Sequence, residues 1–114
     1  MALMSMSLLH LASFVRACER RNVDDDIIRA IEQAIMSNPT VGAVMSGTGG
    51  MRKFRMAIEG AGKSGGYRIC YVIAKPDLVL LVTLFSKNDQ TTLTREQCGD
   101  FKRVVDYARS IQWR

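Results

Sequence analysis

The chain is poor in the residues that build metal centres, linkers and disulfide frameworks. It has one histidine, two prolines and three cysteines in 114 residues. With His10 alone, no histidine-based zinc site can be assembled, and His10 itself reads as a structural residue near a strand end. Cys18, Cys70 and Cys98 are odd in number, show no Cys-x-x-Cys spacing and each sit in an apolar pattern. They read as core thiols of a reducing, cytoplasmic compartment. The longest apolar run, Leu78 to Phe85, is too short to span a bilayer, so neither a transmembrane helix nor a membrane partner is expected. Met1 to Cys18 is apolar enough to mimic a signal peptide but lacks a basic n-region and an A-x-A cleavage site, and is expected to be folded. Repeats, linkers and low-complexity stretches are absent from the sequence.

What is present suits one compact domain over residues 1–114. Apolar residues make up 47% and charged residues 24%, which excludes a disordered chain. The net charge is +5, and its distribution is uneven. Between Gly47 and Lys75 lie six basic residues (Arg52, Lys53, Arg55, Lys63, Arg68, Lys75) and one acid, Glu59, so this segment alone carries +5. The remainder has ten basic and ten acidic residues. A concentrated surplus of this kind points to a polyanion, with nucleic acid the first candidate; a solvated charged face is the plain alternative.

Periodicity gives the elements. Ala2 to Leu9 suits a first strand. Leu11, Phe14, Val15 and Cys18 fall on one helical stripe, which either packs inside or offers a partner a docking surface. Asp24-Asp25-Asp26 precedes Ile27, Ile28, Ile31, Ala34 and Ile35, a second amphipathic helix with acids at its N-terminus. Capping is the simpler use of these acids, metal binding the sharper one. Ser37-Asn38-Pro39 ends the helix. Gly42 to Gly50 reads as a loop. Met51 to Glu59 alternates, so Phe54, Met56 and Ile58 face the core while Lys53 and Arg55 project together from the opposite face, about 7 Å apart. Gly60 to Gly66 is a connection, Tyr67 to Ala74 a third strand, Lys75-Pro76-Asp77 a hairpin turn, and Leu78 to Phe85 a strand covered on both faces. Thr94 to Gln97 forms a capping box opening a last helix, with Cys98, Phe101, Val105 and Ala108 inward. The order is β-α-α-β-β-β-α.

Ala57 to Ser64 (AIEGAGKS) nearly satisfies the phosphate-loop pattern GxxxxGK[ST], with Ala in place of the first Gly. That loop works by feeding a helix whose N-terminal amides meet the phosphates. Here Gly65-Gly66 and a strand follow, so nucleotide binding is not expected, although Lys63 and the loop amides remain available to an RNA phosphate.

The basic side chains converge. Antiparallel pairing sets Arg68 across from the later part of the second strand, with Lys87 near the start of the third and Lys63 in the loop between. Such a cluster neutralises RNA phosphates and stabilises charge on a phosphate under in-line attack. Packed cations also depress a lysine pKa, and a lysine so depressed can act as general base on a ribose 2′-hydroxyl. Tyr67 and Tyr71 have two readings, as base-stacking platforms or as core aromatics.

Three segments in this order, GTGGMRK (47–53), GKSGGYR (62–68) and SKND (86–89), resemble the RelE/HigB superfamily of bacterial type II toxins, most closely its HigB-like branch. The likeness is strongest from Val44 to Leu93. It implies an α+β, RelE-like fold: a twisted, mostly antiparallel four-stranded sheet with two N-terminal helices and a C-terminal helix. It further implies a metal-independent mRNA interferase, without cofactor, acting on mRNA in the A site of the 70S ribosome. In that activity the 2′-hydroxyl attacks the adjacent phosphate, leaving a 2′,3′-cyclic phosphate and a 5′-hydroxyl. By this resemblance Lys53 is the base or proton relay, and Arg55 and Arg68 hold the phosphate. Arg52, Lys63, Tyr67, Tyr71, Lys87 and Asn88 contact RNA or ribosome.

The resemblance also implies a cognate antitoxin, usually of helix-turn-helix type, and operator DNA bound only through the toxin–antitoxin complex. RelE members carry an arginine directly after the position of Lys87 and a stacking tyrosine in the next segment. This chain has Asn88 and Gln90-Thr91-Thr92-Leu93-Thr94 there, and Asn88-Asp89 follows the HigB-like pattern. The competing expectations are a ParE-like inhibitor of DNA gyrase, which shares the fold but not the basic triad, and a non-catalytic, degenerate nucleic-acid-binding domain.

Overall fold

The computed structural model describes residues 6–57, 66–86, 89 and 93–111. Ala2–Ser5 of the expected first strand, Ile58 and Glu59 of the second, most of the phosphate-loop-like segment, and Lys63, Lys87 and Asn88 lie outside the described residues. The elements run β1 (Ser7–His10), α1 (Ala12–Arg20), α2 (Asp25–Ser37), β2 (Ala43–Val44), β3 (Arg52–Met56), β4 (Tyr67–Lys75), β5 (Leu78–Ser86) and α3 (Arg95–Ser110). The order follows the sequence reading except for β2, which makes the sheet five-stranded instead of four-stranded. Two residues are too few to show an alternation, so Ala43–Val44 was indistinguishable from loop.

The sheet order is β1-β5-β4-β3-β2. β1 runs parallel to β5, and every other pairing is antiparallel. β4 and β5, the two longest strands, occupy the centre, as their apolar content demands. Each face of the sheet carries its own core. On one side Ile69, Tyr71, Val79, Leu81 and Leu84 pack against Phe14 and Cys18 of α1 and Ile31 and Ile35 of α2. On the other, Met51, Cys70, Val72, Leu80 and Val82 pack against Val105 and Ala108 of α3. β5 is therefore buried on both faces, as its unbroken apolar run required. Each Val, Leu or Ile so buried contributes about 1.5–3 kcal/mol.

The register of β4 against β5 slips between Cys70, paired with Thr83, and Tyr71, paired with Leu81. Val82 is the extra residue of this β-bulge. It switches the phase of β5, so that Thr83 shares the α3 face with Cys70. Bulges re-aim side chains in this way beside functional sites. The hydroxyl of Ser13, at the start of α1, donates to the Val82 carbonyl and fixes α1 along β5.

The helix ends follow the sequence. Asp24 caps α2, its carboxylate accepting from Ile27 N at 2.9 Å. Asn38 follows the last turn. Thr94 and Gln97 form the reciprocal capping box of α3. The α1 stripe is rotated from the expected one: Phe14, Ala17 and Cys18 are buried, while Val15 is 41% exposed. Phe14, fully buried, is thereby unavailable to a docking partner. His10 ends β1 in the structural role expected, its Nε2 2.9 Å from Glu32 Oε2 and its ring tilted on Phe14. Among the described residues no helix is long and apolar enough to cross a membrane.

Candidate active site

β3 and β4 pair so that Lys53 opposes Cys70 and Arg55 opposes Arg68. Residues opposite each other share a face, and residues two apart along a strand do too. Lys53, Arg55 and Arg68 therefore stand on one surface, the α3 side of the sheet. Arg55 is exposed, and Lys53 and Arg68 are half-buried. Directly opposed side chains of this kind have Cβ atoms about 4.5–5.5 Å apart, and like charges so placed repel. The arrangement concentrates positive charge on one surface.

The floor beside Lys53 is apolar. Cys70 is fully buried, and burial pushes its thiol up to about 12, the Lys53 charge pulling the other way and Cys98 adding to the rise. Burial likewise pushes Cys18 up to about 11. Both buried thiols are core groups, as expected. Cys98 is half-buried, and all three are free.

The opposite face holds the other sequence candidates. Arg52 pairs with Tyr71 and Met56 with Tyr67, so Arg52, Tyr67 and Tyr71 all belong to the face packed by α1 and α2. Tyr71 is fully buried. Its hydroxyl donates to the Pro39 carbonyl at 2.6 Å and accepts from Gly42 N at 3.0 Å. Its ring meets Phe54 edge-on. The reading of Tyr71 as a base-stacking platform is thus corrected: it is a core aromatic that ties down the segment entering β2. Tyr67 is half-buried against the same core, and Arg52 donates to the Gly42 carbonyl at 2.7 Å. Neither shares a surface with Lys53. Strand alternation already sets Arg52 with Phe54 and Met56, opposite Lys53 and Arg55, whereas a charge count along the chain does not separate the two faces.

The glycines of the sequence motifs are explained by backbone geometry. At Gly66, φ is +130°, and a Cβ would stand 2.8 Å from the Met56 carbonyl oxygen. Only glycine lets β4 begin flush against the end of β3, which is what brings Arg68 opposite Arg55. At Gly50, φ is +102°, and a Cβ would press within 3.1 Å of the Arg109 guanidinium. Arg109, on α3, donates to the Gly49 and Ile73 carbonyls, and buried Thr48 closes the turn by donating to Met45 O and accepting from Met51 N. The GTGG segment is therefore a seat for α3 beside the site.

One long-range contact had no sequence signal. Asp89, just after β5, accepts from Arg21 Nε at 2.7 Å and from Ser86 N and Oγ at 3.1 and 3.0 Å. The Ser86 amide and the Arg21 guanidinium hold its carboxyl below the usual range. Arg21 and Asp89 are separated by 68 residues, a distance no local pattern reports. The pair anchors the chain leaving β5 to the end of α1.

The motif resemblance drawn from the sequence was strongest over 44–93, and the α+β sheet with three helices agrees with it over the whole described chain. A family model described as the RelE toxin of the RelE/RelB toxin–antitoxin system matches residues 6–112, and on that near-complete match the chain belongs to the RelE toxin family.

Proposed function

We propose that this toxin is an endoribonuclease that cuts mRNA in the ribosomal A site. The observation that carries the reading is the common face of Lys53, Arg55 and Arg68, with the two arginines in direct register. The Lys53 amine takes the proton of a ribose 2′-hydroxyl. The 2′-oxygen bonds to the adjacent phosphorus as the bond to the 5′-oxygen breaks, and the leaving oxygen takes a proton from water. The products are a 2′,3′-cyclic phosphate and a 5′-hydroxyl. Arg55 and Arg68 stabilise the charge that builds on the phosphate, a role suited to guanidinium donors. No step requires a metal ion. Lys63, Lys87 and Asn88 hold RNA or ribosome.

The cognate antitoxin, of helix-turn-helix type, covers the basic face, and operator DNA is bound only by the pair. Cell-free translation followed by primer extension on the mRNA tests the reading. Ribosome-dependent cuts that disappear in Lys53→Ala are expected. Intact mRNA accompanied by gyrase-linked DNA breaks would replace this activity with the ParE-like one.

A further inference from the structure

The residues outside 47–75 sum to zero charge, which hides a second basic feature. Within α1, Arg16 and Arg20 lie one helical turn apart, on one side of the helix. A cavity of about 240 Å³ opens between α1, the end of β5 and the first half of α3. Its walls include Arg16, Arg20 and Arg21 together with Ser13, Thr83 and Gln97.

Three observations give this cavity a ligand chemistry. First, its charge is uncompensated. Arg21 is occupied by Asp89 and the Ala17 carbonyl, but among the described residues neither Arg16 nor Arg20 has a hydrogen-bond or ion-pair partner. Second, among the described residues no carboxylate lines it. Glu19 lines a different cavity with His10, and Asp100, which shares a neighbouring hollow with Arg16, is paired with Arg103. Third, the cavity belongs to the surface of the candidate active site. Thr83, aimed there by the β-bulge, pairs with Cys70, which pairs with Lys53. Two strand spacings, about 10 Å, separate the Lys53 and Thr83 positions. Guanidinium groups beside hydroxyl and amide side chains bind phosphate oxygens in bidentate fashion.

We propose that the cavity between α1, β5 and α3 is a second phosphate site, in which Arg16 and Arg20 hold a backbone phosphate of the same RNA strand that is cut beside Lys53. The site rests on the RNA-cleaving reading and extends it, because it gives the strand a direction across the sheet, from β3 over β4 towards α1.

The test measures binding of a single-stranded, 2′-O-methylated RNA, which cannot be cut, by fluorescence anisotropy across salt concentrations. The full chain is compared with R16Q/R20Q and R16K/R20K, thermal melting confirming that both fold. R16Q/R20Q should bind about tenfold more weakly, with its log–log salt slope shallower by about 0.7 for each phosphate that is no longer neutralised. R16K/R20K should regain most of that slope. A neutral methylphosphonate at one linkage other than the cut one should weaken the unaltered protein and leave R16Q/R20Q indifferent. An unaltered protein that binds and cuts RNA, matched by R16Q/R20Q in affinity and slope, overturns the second site and leaves the cleavage reading standing. R16Q/R20Q binding RNA normally but losing its antitoxin overturns it in favour of an acidic protein segment. An unaltered chain that neither binds this RNA nor cuts ribosome-bound mRNA overturns both.

Discussion

The two faces of the sheet are made from the same strands and finished differently. On the side of α1 and α2 the strands end in closed contacts: Tyr71 is fully buried, its hydroxyl held by two backbone groups, and Arg52 is hydrogen-bonded to Gly42. On the other side α3 packs over the core of Cys70 and Val72, and Lys53, Arg55 and Arg68 share that face outside its buried cluster. Two helices pack on one face and one on the other, and it is on the second that like charges are placed in register. Tyr71 and Arg52 on the closed face are hydrogen-bonded within the fold. Arg55 and Arg68 face each other across the ladder, where like charges repel.

The sharpest way to break this comparison is at Lys53. Lys53→Arg keeps the positive charge and replaces the amine with a guanidinium, which does not serve as a base. If Lys53 is the base, Lys53→Arg loses cleavage as Lys53→Ala does, by about 10²–10⁴-fold. Single-turnover cutting of ribosome-bound mRNA, read by primer extension, measures the loss. Recovery of most of the rate in Lys53→Arg would reduce Lys53 to a phosphate clamp. The melting temperature should move little, because Lys53 is only half-buried.

The closed face predicts the reverse pattern. Tyr71→Phe leaves the Gly42 amide and the Pro39 carbonyl without their partner, a cost of about 1–3 kcal/mol. Tyr71→Ala also opens a cavity and loses about 3–5 kcal/mol. Urea denaturation measures both. Cleavage per folded molecule of Tyr71→Phe should match the unaltered protein. A defect in RNA cleavage without a defect in stability would return Tyr71 to the site.

How much of this was legible in the sequence depended on the range of the contact. β3, β4, β5 and the caps of α2 and α3 are written in alternation, in an apolar run and in Asp24 and Thr94, all local signals. That Arg68 lies across from the later part of the second strand was readable from antiparallel pairing, but its partner Arg55 was not, because the ten residues between Met56 and Tyr67 are too many for a turn type to set the register. The face of Tyr71 was open, because aromatic residues suit a stacking platform and a core equally, and burial decides between them. β2 was too short to carry a period. The bulge at Val82 was invisible because β5 is apolar on both faces, so a slipped phase leaves no mark in the pattern. Arg16 and Arg20 vanished into a neutral sum, since charge counted along the chain does not see which helix face is bare. The Arg21–Asp89 pair depends on the folded path alone.

That pair offers the smallest and most specific test, since it ties the chain leaving β5 to the end of α1. The Asp89 side chain is 42% exposed and screened by solvent, so the ion pair contributes less than about 1 kcal/mol. Its signature lies in acid. The carboxyl is held below its ordinary value, first by the Ser86 amide and then by Arg21. A depressed folded-state pKa adds stability that is present above the unfolded value, about 3.9, and is lost as pH falls through the folded one. Denaturation midpoints taken from pH 6 down to pH 3 should therefore decline below about pH 4 in the unaltered protein. In Asp89→Asn that part of the decline disappears, because the amide has no proton to gain, while at pH 6 the variant is slightly the less stable of the two. Parallel acid limbs in the two proteins would mean that Asp89 gains nothing from Arg21 and Ser86. The chain after β5 would then be held to α1 by other contacts.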